Sequence, residues 1–424
     1  MLARFSRIDP ETNDYVRQGS PSLVYGTLVF VRSIIVMNAG RALARGATIA
    51  IRYCSIRRQF QDQDSPNSGK GENPVLNYMN VQYKLLNCLA ASYALHFTGR
   101  VTMQLYRDNQ NEMNKDADKG ATNQSSIDLL ADLHATSCGL KALASSIAAE
   151  GLETCRRACG GHGYSSFSGI GPWYADYLPS RTFDGENDIL GQQVARYLLK
   201  SARIVLNGED TAPNDTTRIL KQFLSCQETG AAFDILGNDA DIVSAYAYRA
   251  SFLTFEVLKR QDEHKMARND LLVDFDRLSK AHSQYLVVKN FLATLDDPYT
   301  EKMLNTDTLE IMRKLFRLYA LHTLEQEGAE FFAASACTSH QISLIRTNRV
   351  MSLMKEVRPH AVHLVDAWEF PDWQLDSSLG RFDGHVYEDL FLRASEMNPL
   401  NDVIIDPYPN SPVLYRKDTK SSKL

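Results

Sequence analysis

Leu28-Val29-Phe30-Val31-Arg32-Ser33-Ile34-Ile35-Val36-Met37-Asn38-Ala39-Gly40-Arg41-Ala42-Leu43-Ala44-Arg45 repeats its apolar residues at the period of a helix rather than a strand. Leu28, Val31, Ile35, Ala39, Ala42 and Ala50 fall near one face, whereas Arg41, Arg45 and Arg52 sit at i, i+4 and i+11 on another, as 3.6 residues per turn requires. The spacing predicts one long amphipathic helix ending near Phe60. Arg32 lies inside the apolar run, where a guanidinium is costly without a partner. That charge, with Gly26, argues against a membrane span over residues 22–39.

The same period continues outward from this helix. Residues 61–74 carry Asp, Ser, Asn, Gly and Pro without a period and read as a loop. A second helix is expected over residues 76–106, with Val81, Leu85, Cys88, Ser92, Leu95, Gly99 and Tyr106 on one face. Its small residues Ala90, Ala91, Ser92 and Gly99 would let a neighbouring helix come close. Residues 108–125 read as a loop, a third helix follows over residues 126–159, and a fourth runs from Asn187 to Ile204. Four long helices so connected suggest a bundle. Residues 206–215 form the best boundary in the chain. Beyond it, helices are expected over residues 216–226, 239–295 with a break near Asn269, 307–334, 341–367 and 387–395, the last after turns at Pro371, Gly380 and Gly384. The fold class is therefore all-α with two helical bundle domains, residues 19–205 and 216–424, as a chain of 424 residues allows.

Composition narrows the function classes. An apolar fraction of 44% with 23% charged residues is that of an ordinary globular protein. With 46 basic against 51 acidic residues and no basic stripe, nucleic acid is not an expected partner. Seven cysteines, an odd number spread through apolar helical patterns, read as reduced core residues rather than a disulfide framework. The first seven residues have neither an apolar stretch nor a cleavage pattern, so they are not a secretory signal.

The run Cys155-Arg156-Arg157-Ala158-Cys159-Gly160-Gly161-His162-Gly163-Tyr164, followed after a Trp/Tyr-rich loop by Arg181-Thr182-Phe183-Asp184-Gly185-Glu186-Asn187, resembles the substrate-facing segment of the peroxisomal acyl-CoA oxidases. Ser422-Lys423-Leu424 at the end of a polar tail is a receptor-read peroxisomal address. The resemblance covers essentially the whole chain and implies a matching set of functions. These are oxidation of a fatty acyl-CoA by O2 through FAD, giving a trans-2-enoyl-CoA and H2O2, a homodimer or a dimer with a full-length oxidase, and capture by the peroxisomal import receptor. A carboxylate takes the weakly acidic α-proton of the thioester in a water-poor site while the β-hydride leaves for the flavin.

In the family the base is a Glu after an aromatic residue and before a Gly. Here Asp184 stands at that position, between Phe183 and Gly185. Aspartate is one methylene shorter, a shortfall of about 1.5 Å on an unchanged backbone. Glu186, two residues on, is the alternative base. Asp184, Glu186 and Asp188 also precede a helix, where carboxylates satisfy free backbone N–H groups.

The resemblance assigns Gly160, Gly161 and Gly163 to a turn that approaches FAD, and Arg57 and Phe60 to an Arg-x-x-Phe element that reaches FAD across the dimer interface. Arg32, Tyr164 and Gly185 are placed at the active-site loop. The glycine turn lacks the spacing of a dinucleotide fold and the Gly-Lys-Ser/Thr of a phosphate loop. Cys155, Cys159 and His162 have no evident fourth ligand, and His360 and His363 read as solvated, so no metal is expected.

The resemblance extends only to the latter part of the family's architecture. Residues 1–18 look like a remnant of the run leaving a β-domain, and a preceding helical domain and β-domain are expected to be missing. The chain then reads as the C-terminal helical half of an oxidase. The alternative is a non-catalytic helical fragment or paralogue that associates with full-length oxidases. An acyl-CoA dehydrogenase is disfavoured by the second helical domain and the Ser-Lys-Leu ending.

Overall fold

The computed structural model describes residues 6–17, 22–61, 71–118, 124–209, 214–229 and 232–398. The first segment is a two-stranded hairpin, β1 (Ser6–Ile8) antiparallel to β2 (Tyr15–Arg17), where the sequence had suggested only a linker. The rest of the described chain is mostly helical. α1 (Ser22–Ile56), α2 (Met79–Asp118), α3 (Gln124–Ala158), α4 (Ile170–Tyr177) and α5 (Asn187–Leu206) make up the first half. α6 (Asp215–Thr229), α7 (Asp239–Asp262), α8 (Leu272–Leu295), α9 (Pro298–Met303), α10 (Thr306–Gln326), α11 (Gly328–Ala333), α12 (Ser339–Leu344), α13 (Val350–Val357), α14 (Ala361–Asp366), α15 (Asp372–Leu375) and α16 (Val386–Ser395) make up the second. The all-α fold class holds.

α1 is the central element because both of its faces find partners. Val36, Leu43, Ala47 and Ala50 are buried against α2 and α3. Of the basic stripe, Arg41 is exposed, but Arg45 and Arg52 are not solvated. Arg52 Nε donates to Asp366 Oδ1 at 2.9 Å and its Nη1 to the Gly380 carbonyl at 2.7 Å. Arg45 Nη2 donates to the Leu375 carbonyl at 2.9 Å. α1 thus carries the C-terminal half on its charges. α8 packs on α2, α3 and α5, and one apolar cluster runs from Val36 to Val386 without a break between the two sets of helices. Residues 28–56 of α1 are long and apolar enough to cross a membrane, and 72% of the 18-residue apolar window within them is buried inside the protein, as a core helix requires.

Several expected boundaries move. α1 stops at Ile56, and the chain turns back where the Gln59 N–H donates to the Asn73 carbonyl and the Asn73 N–H to the Phe60 carbonyl. α2 continues to Asp118 through residues 108–118, expected to be a loop, because Asn109 is buried and Gln104 reaches Asp108 one turn on. α4 forms in the Trp/Tyr-rich segment, anchored by buried Ile170 and by Trp173 Nε1 on the Ala42 carbonyl at 3.4 Å. The helix expected over residues 307–334 breaks at Glu327. That over residues 341–367 is interrupted by a π-turn at Ile345–Arg349 and again at Pro359, whose ring cannot continue an α-helical ladder.

Candidate active site

Between α4 and α5 the chain makes a tight loop. Asp184 has φ +55° and Gly185 φ +113°. Aspartate is one of the few side chains that accept the left-handed region. Gly185 is less replaceable, since a Cβ would stand 2.6 Å from a Leu190 methyl carbon. The loop ends at Glu186, the N-cap of α5. Its carboxylate accepts from the backbone N–H of Asp188 at 2.9 Å and of Ile189 at 3.3 Å. The two candidate bases therefore differ in kind. Glu186 is exposed and engaged in capping. Asp184 is half-buried, and no described group donates to its carboxylate.

Two buried cations hold this loop. Arg32 of α1 donates Nε to the Asp184 carbonyl at 3.0 Å and Nη1 to Cys138 Sγ at 3.1 Å. Lys141 of α3, fully buried, donates Nζ to the carbonyls of Gly185 at 2.7 Å and Arg181 at 3.2 Å, and to Asn187 Oδ1 at 3.0 Å. Burial, and secondarily Arg32, pull the Lys141 amine down to about 8. Asn187 Nδ2 in turn donates to the Ala142 carbonyl, Ser145 and Ser146. The same burial raises the Cys138 thiol to about 11, so the sulfur next to Arg32 stays protonated. Lys141 was not singled out from the sequence. Its signal was a lysine placed between Leu140 and Ala142, in a stretch where every neighbour reads as core.

The glycine turn lies against the other end of α1, near Tyr53. Gly160 has φ +62°, and a Cβ on Gly160 or Gly161 would meet nothing within 4 Å. Both therefore offer open backbone. Gly163 is different, since a Cβ there would collide with the Arg156 carbonyl. His162 Nδ1 is 2.6 Å from the Tyr53 hydroxyl. Arg57 Nη1 donates to the Tyr387 hydroxyl at 3.1 Å and is in no ion pair among the described residues. Phe60 is 69% exposed with φ +58°. Tyr164 is exposed beneath the Arg156 guanidinium, 4.0 Å from its ring centre, so it belongs with the turn and not with the Asp184 loop. Twenty-one residues of α1 separate Arg32 at one site from Tyr53 at the other, about 32 Å along the axis. The structure brings Arg32, Lys141 and Asp184 together, and Arg57 and the glycine turn together, but not the two groups.

Among the described residues no three His, Cys, Asp or Glu side chains are grouped to hold a metal. Cys155 and Cys159 are buried thiols and His360 and His363 are exposed. Ser422, Lys423 and Leu424 lie outside the described residues.

Residues 25–199 match the family model "Acyl-CoA oxidase, C-alpha1 domain", and residues 238–411 match the model "Acyl-CoA oxidase". The chain belongs to the acyl-CoA oxidase family. It is 37% identical over 417 residues to peroxisomal acyl-coenzyme A oxidase 1 of Rattus norvegicus, covering 95% of this chain and 59% of the relative. It is 36% identical to the putative peroxisomal acyl-coenzyme A oxidase 1.2 of Arabidopsis thaliana, with shares of 96% and 59%. Acyl-CoA oxidase 1 of Arabidopsis thaliana superposes with a TM-score of 0.85 at 34% identity, over 97% of this chain and 61% of that one. Acyl-CoA oxidase-2 of Caenorhabditis elegans, bound with FAD, ascaroside-CoA and ATP, gives 0.82 at 30% identity, over 95% and 58%. The chain thus spans about 59% of the length of the curated relatives it matches.

Proposed function

We propose that this protein acts as an FAD-dependent acyl-CoA oxidase of peroxisomal fatty-acid β-oxidation, converting acyl-CoA and O2 to trans-2-enoyl-CoA and H2O2. The observation that carries the reading is the Asp184 carboxylate, half-buried and unengaged, on a loop pinned by Arg32 and Lys141. Asp184 takes the α-proton. Glu186 is a poor competitor, because its carboxylate already satisfies two N–H groups of α5. FAD, when bound, supplies the acceptor for the β-hydride, and O2 then takes up the two electrons with two protons. Proton removal by a positioned base contributes about 10²–10⁴-fold, so most of this chain's chemical contribution rests on the Asp184 loop.

The residues proposed for FAD fit it chemically. Gly160 and Gly161 offer open backbone, and the Arg57 fork, in no ion pair among the described residues, suits a pyrophosphate. At about 32 Å from the Asp184 loop, that turn does not serve the ligand that Asp184 deprotonates. It serves the ligand of a second copy, which makes a dimer part of the proposal. The division into a first bundle over residues 19–205 and a second over residues 216–424 is proposed on the same grounds as the two family matches. Peroxisomal placement, through an import receptor that reads Ser422-Lys423-Leu424, is supported by the peroxisomal relatives.

Anaerobic absorbance tests the whole reading. Flavin bands of the purified chain should bleach on addition of a long-chain acyl-CoA and return with oxygen. A chain that stays colourless with added FAD would sink the proposal.

A further inference from the structure

Tyr53 is buried, and its hydroxyl has one described partner, His162 Nδ1 at 2.6 Å. The two rings meet edge to face, 5.7 Å between centres. Burial, and secondarily Tyr387, raise the Tyr53 pKa above its ordinary 10, so the phenol keeps its proton. Were Nδ1 to carry a hydrogen, that buried phenol proton would have no acceptor. The hydroxyl therefore donates, Nδ1 accepts, and the neutral imidazole carries its hydrogen on Nε2. No described group pairs with Nε2, which is not a buried atom.

Arg57 lies one turn beyond Tyr53, with its backbone N–H on the Tyr53 carbonyl at 2.8 Å. Its guanidinium reaches the Tyr387 hydroxyl, and the Tyr387 ring centre is 6.4 Å from that of His162. Tyr387 thus adjoins both groups and keeps them on one wall, beside the open backbone of Gly160 and Gly161. A guanidinium fork with an imidazole N–H next to it suits a diphosphate. We infer that His162 donates its Nε2–H to the diphosphate of the ligand at the glycine turn, and that Tyr53 is a positioning residue which acts by fixing the tautomer. The inference rests on the proposed reading of that turn as a cofactor site. FAD and CoA esters both contain a diphosphate, so the source has to be told apart.

Histidine-selective 15N NMR of the 424-residue chain reads the tautomer directly, with H162Q assigning the signal by its loss. His162 should show a protonated Nε2 and an unprotonated Nδ1, and Y53F should lose that preference. Inorganic pyrophosphate should shift the Nε2–H signal of the unaltered chain. Titrations with FAD and with CoA then assign the source. The ligand that uses the donor should bind about ten- to a hundredfold more weakly to H162N, whose amide falls short of the Nε2 position, as loss of a hydrogen bond to a charged group implies. H162Q, whose amide N–H reaches near that position, should keep most of the affinity. Riboflavin, which has no diphosphate, should not distinguish H162N from the unaltered chain. A His162 protonated at Nδ1, an Nε2–H signal that pyrophosphate leaves in place, or FAD and CoA that both bind H162N as tightly as the unaltered chain would each overturn the inference. A signal that pyrophosphate shifts in a chain that takes up no FAD would sustain the inference and remove the oxidase reading, whose own measure is flavin bleaching.

Discussion

Lys141 Nζ lies 2.7 Å from the Gly185 carbonyl, so a fully buried amine on α3 fixes the peptide that follows Asp184. Three acceptors share that amine. Replacing it with a thioether leaves them short of a donor, at a cost of about 1–3 kcal/mol for a buried unsatisfied group. K141M should therefore melt earlier and reduce flavin more slowly. The amine ionises near 8 because burial and Arg32 disfavour its charge. Above that pH one of its three donors is lost, and flavin reduction should decline between pH 7.5 and 9. The decline should be absent from the K141M profile, and a K141M profile that keeps it would assign the ionisation elsewhere.

Asp184 and Glu186 separate by substitution. D184N should lower flavin reduction about 10²–10⁴-fold, the range for a lost general base. E186A should lower stability by about 0.5–2 kcal/mol through loss of the α5 cap, with a change in flavin reduction of less than about tenfold. D184E restores about 1.5 Å of reach and should raise the rate, by as much as about a hundredfold if the shorter side chain is the limiting misplacement. Stopped-flow bleaching with a saturating acyl-CoA measures all three.

How much of this was legible in the sequence depends on whether the deciding contact is local. α1 was readable because Val31, Ile35, Ala39 and Ala42 repeat at helical period, and the carboxylates before α5 announced a helix start. α4 was not, because Gly171-Pro172 at its beginning reads as a turn and its stability comes from Trp173 packing on α1. The role of Arg52 was hidden for the same reason, since its partner Asp366 lies 314 residues away. Lys141 looked like one more helical lysine, and only the return of the loop residues Arg181–Asn187 over α3 gives its amine three acceptors.

Buried histidines should make the fold acid-sensitive. Burial lowers His282, His134 and His322 to about 4. A base whose folded pKa is depressed leaves stability intact above its unfolded value near 6.5, and stability falls as pH drops from there toward 4. For His282, 3% exposed, the shift corresponds to about 3 kcal/mol. Denaturant midpoints measured between pH 7 and 4 should show this loss. H282Q should reduce the slope by about one proton, and an unchanged slope would mean that His282 does not ionise on unfolding in that window.

Gly40 and Gly99 are positioned where α1 and α2 touch backbone to backbone. A Cβ on Gly40 would stand 2.5 Å from His96 N and 2.8 Å from the Ser92 carbonyl oxygen, and one on Gly99 would strike Met37 Cα. Glycine to alanine inside a helix ordinarily stabilises by about 1 kcal/mol. G40A and G99A should reverse that sign and destabilise by about 1–3 kcal/mol, the usual cost of overpacking. G171A, with nothing within 4 Å, is the control and should not destabilise.

Arg57 provides the test of the proposed two-copy site, in which its separation from the Asp184 loop, about 32 Å along α1, would make each complete site draw on both chains. R57Q should retain less FAD per chain, measured by absorbance after gel filtration, and should turn over slowly. D184N should be inactive for a different reason. When the two variants are unfolded together and refolded, a mixed dimer pairs the Asp184 of the R57Q chain with the Arg57 of the D184N chain, leaving one intact site and one doubly altered site. Random pairing makes half the dimers mixed, so about one quarter of the unaltered turnover should return, as two-fold symmetry requires. If Arg57 instead served the same chain's site, every site in the mixture would carry one lesion or the other, and no activity would be recovered.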